Sequence, residues 1–170
     1  MKVLLKIAVR QRGSSLIEAV IAMGVLAVAI PLVFGAIAES GRSNISSEAE
    51  TRSTWIVPTC LEEIQASRDG MSKYFIATKT GETFPATGDV WALVFSPEGK
   101  VVGKIDKSTY DKGAREMGGK AISYIASLSA TKPTTTTTSP VILNVLVRLE
   151  YPAGAPATKR QKIDFYTHIP

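Results

Sequence analysis

The chain has 170 residues, 45% of them hydrophobic, with one cysteine and one histidine. That length allows one compact domain plus an anchor, and a single cysteine excludes an intramolecular disulfide. The net charge of +5 suggests an anionic partner, but Lys2, Lys6, Arg10 and Arg12 all precede Gly13, and the remaining 16 basic side chains nearly balance 15 acidic ones, so nucleic-acid binding is not expected.

The first element follows this basic leader of residues 1–13. Residues 14–38, "SSLIEAVIAMGVLAVAIPLVFGAIA", contain one ionisable side chain, Glu18. As a helix the segment reaches roughly 37 Å, enough to cross a bilayer core. Lys2, Lys6, Arg10 and Arg12 orient it with the N-terminus cytoplasmic and the C-terminal domain outside. Three readings compete. "AIA" at 36–38 fits a signal-peptidase site, but the apolar run is long for a signal peptide and holds an acid near its start. An uncleaved signal anchor carrying an extracytoplasmic binding module explains the length and not Glu18. A carboxylate costs about 2.5–3.5 kcal/mol at the centre of a spanning helix, less near its edge. The third reading gives Glu18 a partner.

"RGSSLIEAVIAMGVLA" resembles the processing and methylation motif of type IV pilins and type II secretion pseudopilins. The resemblance rests on a basic leader ending in glycine, a long apolar helix, and glutamate at the fifth mature position. It implies cleavage by a prepilin peptidase after Gly13 and N-methylation of Ser14, where the family usually carries Phe, Met or Leu. It also implies a single-pass protein of the bacterial inner membrane, in contact with lipid, with other pilin-like subunits through the helix, and with an inner-membrane assembly platform. Cleavage frees an α-amino group whose ordinary pKa is about 7.7–8.0. In such filaments the glutamate is thought to pair with a neighbour's terminal amine. Such a pair tolerates burial far better than a lone carboxylate does, and it sets axial register. Pro31 removes one helix hydrogen bond and is the expected kink or point of local opening. Gly24 and Gly35 also interrupt the helix, and Ser15 and Ala19 form a small-xxx-small pair. These features suit either close helix packing or the ordinary tolerance of such residues in spanning helices.

Residues 39–70 read as an exported helical segment. Ile45, Ala49, Arg52, Trp55 and Ile56 suggest a semi-buried stripe. Pro58 is expected to break or kink the helix. Thr59 and Glu62 match a capping box, which would restart it over about Cys60–Ser67, and Gly70 would stop it. Cys60 reads as a small semi-buried helix side chain. Residues 71–170 read as an antiparallel β domain. Val90–Phe95 and Lys100–Ile105 flank the turn "SPEG". The segment 107–120 reads as a loop, 121–130 as a strand, and the Thr-rich 131–140 as a second loop. Two further strands, over 141–152 and 158–169, close a meander with their hairpin at its edge. The whole predicts an α+β fold: a long N-terminal hydrophobic helix, part transmembrane and part exported, packed on a small antiparallel β-meander like that of a type IV pilin. No His/Cys cluster suggests a metal or cofactor, and no catalytic constellation assembles around His168 or any serine, so an enzyme is not expected.

A narrower resemblance lies in the second half. "LVFSPEGKVVG", "SYIASL" and "VRLEYPAGAPATKRQKIDFYTHI", with the Glu18 helix and Pro31, are similar to the pilin-like Verru_Chthon cassette protein B family. That family carries a prepilin-type N-terminus and is encoded beside other pilin-like proteins. Together the resemblances imply a minor pilin or pseudopilin of a type IV pilus or type II secretion-like filament.

Overall fold

A computed structural model describes residues 16–76, 83–131 and 143–169. It divides into two compact units, ending and beginning at Ile45 and Ser46. The α+β order holds: one long N-terminal helix, then an antiparallel sheet.

Helix α1 runs from Leu16 to Arg68 without interruption. The expected break at Pro58 does not occur, and Thr59 does not cap a second helix. Its hydroxyl instead donates to the Trp55 carbonyl one turn back, at 2.9 Å. The proline forfeits one backbone bond, but packing on both sides of it outweighs that loss. Ala49, Ser53, Ile56, Cys60, Ile64 and Ser67 form one buried stripe at spacings of three and four residues. Full burial of Ile56 or Ile64 contributes roughly 1.5–3 kcal/mol each, and such packing rather than propensity sustains protein helices. Trp55 and Ile45 do not join the stripe, being 66% and 51% exposed. Gly70 stops the helix as expected. Its φ of 71° admits a closing turn in which Gly70 N donates to Ser67 O at 3.2 Å and Met71 N to Ala66 O at 2.7 Å.

The main sheet comprises β1 (Trp91–Phe95), β2 (Val101–Ile105), β5 (Tyr124–Thr131), β6 (Leu143–Tyr151) and β7 (Gln161–Ile169). Two short strands, β3 (Glu116–Met117) and β4 (Lys120–Ala121), pair separately. The order β2-β1-β5-β6-β7 corrects the expected simple meander: β5 pairs with β1 rather than with its predecessor β2. The chain between them therefore passes across β1. That passage is the segment read as a loop over 107–120, and it is structured. It holds helix α2 (Lys107–Lys112) and the β3–β4 hairpin. Asp106 caps α2, accepting from Thr109 N at 3.1 Å. Of the loop read at 131–140, Thr131 ends β5 and the rest lies outside the described residues.

Strand alternation gives the sheet two cores. On one face Leu93, Phe95, Ala126, Leu128, Val145, Val147 and Leu149 join the α1 stripe. Trp91 stacks between Phe75 and Phe84, with centroids at 4.5 and 4.6 Å. The other face is smaller: Ala92, Val94, Ile105, Ile122, Ile125 and Ala153, covered by Tyr110, Ala114 and Met117 from the β2–β5 connection.

Candidate functional site

The first half of α1 is the most unusual surface in the molecule. Leu16, Ile17, Val20, Ile21, Met23, Leu26, Ile30, Val33, Phe34 and Ile37 are all exposed. None of the most apolar 18-residue stretch is buried, and its mean hydropathy is 2.6. By length and composition this helix can cross a membrane. The apolar side chains surround the axis instead of forming a stripe, as lipid or a bundle of like helices requires. Leu26, Ala29, Ile30, Val33 and Phe34 line a shallow, wholly apolar depression on it.

Glu18 occupies the first turn of α1 and is exposed. The first-turn N–H groups and the helix dipole both favour a carboxylate there. Pro31 lies within α1, exposed, and the helix continues through it. Lys2, Lys6, Arg10, Arg12, Gly13 and Ser14 lie outside the described residues.

Sequence reasoning missed a second convergence of ionisable groups. Glu150 on β6 and Arg160, just before β7, have wholly buried side chains and pair at 2.9 Å. The Tyr110 hydroxyl of α2 donates to the other Glu150 oxygen. Arg160 also donates to the carbonyls of Ala155, at 2.8 Å, and Tyr110, and its guanidinium lies 4.9 Å from the Tyr110 ring centre. The only hint in sequence was an acid on the non-core face of an apolar strand. Nothing local showed that α2 would cover it. Gly113 makes the cover possible, since a Cβ there would sit 2.4 Å from the Ala155 carbonyl oxygen. The network is saturated with partners, so it clamps the β2–β5 connection to the sheet rather than offering a reactive group.

Burial, then the hydrogen bond and charge of Glu150, push the Tyr110 phenol up to about 12. Its folded pKa lies above the ordinary value of about 10. The stability it contributes is therefore complete below about pH 10 and is lost as pH rises towards 12. Tyr110→Phe should flatten that alkaline loss. Denaturant titrations at pH 9 and 11 check this, and equal losses in both chains would refute it.

Cys60 is fully buried in the α1 stripe rather than semi-buried. Burial, reinforced by Glu63, pushes its thiol far up, which leaves little thiolate. Among the described residues no group of three or more His, Cys, Asp or Glu is placed to hold a metal. No family model, curated protein or solved structure matches the chain.

Proposed function

We propose that this chain is a pilin-like structural subunit, a minor pilin or pseudopilin of a type IV pilus or type II secretion-like filament. A prepilin peptidase cuts after Gly13, and Ser14 is N-methylated. The α1 helix resides in the inner membrane until an assembly platform draws it into a helix bundle. One observation carries the reading. A single unbroken helix joins a fully exposed apolar half, with Glu18 in its first turn, to a half with one buried stripe in an α+β domain. The Gly13–Glu18 spacing and the basic leader favour a processed subunit over a plain anchor, because a signal anchor has no use for an acid at that position.

Intact-mass measurement of the membrane-extracted chain tests the proposal. Loss of residues 1–13 with gain of one methyl group is the expected result. A new terminus at Glu39 would identify a signal peptide. An uncut chain would identify a membrane-tethered binding module.

A further inference from the structure

The exported half of α1 has an outward face with its own pattern. Glu48, Thr51, Trp55, Pro58 and Glu62 are all exposed and recur at heptad spacing on the side away from the buried stripe, and exposed Asp69 follows in the closing turn. An aromatic at 66% exposure on a helix carries the kind of area that dominates protein interfaces. Around it the ridge holds Glu48 and Glu62; Arg52 on its flank lies 3.8 Å from Glu48, and Glu62 has no ion pair among the described residues.

The opposite charge gathers elsewhere in the same unit. Residues 71–170 hold thirteen Lys and Arg against eight Asp and Glu. On the β2–β5 connection Asp106 is committed to capping α2 and Lys107 to Asp111 at 3.2 Å. Lys112, Arg115 and Lys120 are exposed, and the described residues give them no ion pair, with Glu116 the one carboxylate between them. This surface is held rigidly, because the Tyr110–Glu150–Arg160 clamp fixes it to the sheet.

We infer that the Trp55 ridge docks on the β2–β5 connection of a second copy of this chain. Three features select that occupant. Acidic ridge and basic surface are complementary in charge. The two patches lie on one chain at different places, so the contact is heterologous and propagates from copy to copy. An indole beside carboxylates favours an arginine or lysine stem and head over an anionic or purely apolar partner. Lipid is not the occupant, because the carboxylates Glu48 and Glu62 beside the indole are costly to place in a bilayer core. The inference rests on the filament reading, and it names a contact that the N-terminal helices alone do not supply.

Trp55 and Trp91 are the only tryptophans, and Trp91 is buried. Acrylamide quenching of the full mature chain therefore reports Trp55. In detergent-dispersed monomer it should be strongly quenched. In assembled material, recognised by crosslinks between neighbouring apolar helices, quenching should fall several-fold. Glu62→Lys should abolish this protection and Arg115→Glu should do the same, each with the monomer's thermal unfolding unchanged. The double variant should restore protection. Crosslinked assemblies whose Trp55 stays fully quenchable would overturn the docking while leaving the filament reading intact. Failure of the double variant to recover protection would overturn the assigned pairing. Absence of any crosslinked assembly would overturn both.

Discussion

Replacing Arg160 by Met is expected to lower the unfolding free energy by about 3–5 kcal/mol, enough to unfold many domains of this size. The reason is the charge left behind. Glu150 has a fully buried side chain, and Arg160 is its only ion-pair partner among the described residues. Without it the carboxylate keeps the Tyr110 hydroxyl and only a longer-range attraction to Arg148, which is already paired with Asp164. The Ala155 and Tyr110 carbonyls lose a donor at the same time. Glu150→Leu with Arg160→Met should cost far less than Arg160→Met alone, because no unpaired charge then remains inside. That reversal of the usual order, two changes milder than one, separates a buried-charge effect from lost packing. Guanidinium unfolding of the three chains measures it. A single-variant loss below about 1 kcal/mol, or simple additivity of the two changes, would falsify the account. A milder clamp variant, Tyr110→Phe, should loosen the β2–β5 connection first. Faster amide exchange over α2 than over β6 would report that.

How much of this was legible beforehand depended on whether a cue was local. The apolar run through Leu16–Ala38, the turn "SPEG", Gly70 as a helix stop and the strands around Ala126, Val147 and Phe165 all announce themselves within a few residues, and the structure has each. Pro58 does not end the helix, because its cost is local, while the burial that overrides it comes from sheet residues far along the chain. Trp55 misled for the opposite reason. Hydrophobicity implied burial, and an outward helical position is visible only once the Ala49–Ile56–Ile64 stripe fixes which face turns inward. The segment 107–120 looked like a loop because its elements are only two to six residues long and rich in glycine and charge. What orders it is Tyr110 reaching Glu150, forty positions away, a pairing no window of sequence contains.

Glu18→Ala should leave insertion and cleavage intact and abolish assembly. The leader charges proposed to orient the helix, Lys2, Lys6, Arg10 and Arg12, are untouched by the change. Removing a carboxylate from the edge of a spanning segment makes residence in lipid easier, by something under about 2.5–3.5 kcal/mol. If Glu18 served only the single chain, the variant would be neutral or improved. In a helix bundle the balance reverses. On the proposed pairing, the carboxylate would face a neighbour's terminal amine, freed four residues before its own helix position, and its loss would strand that cation in apolar surroundings and remove the element that sets axial register. Cysteines placed at Leu26 and Val33 in a Cys60→Ser background, on the apolar depression of α1, read out the bundle as disulfide-linked ladders. The parent should give ladders longer than dimers, and Glu18→Ala should give monomer with its leader removed. Glu18→Gln keeps the shape and loses the charge, so it should behave as Glu18→Ala does if pairing with an amine is what matters. Normal ladders from Glu18→Ala would remove Glu18 from assembly. An uncut Glu18→Ala chain would mean that the peptidase, rather than a neighbouring subunit, reads this carboxylate.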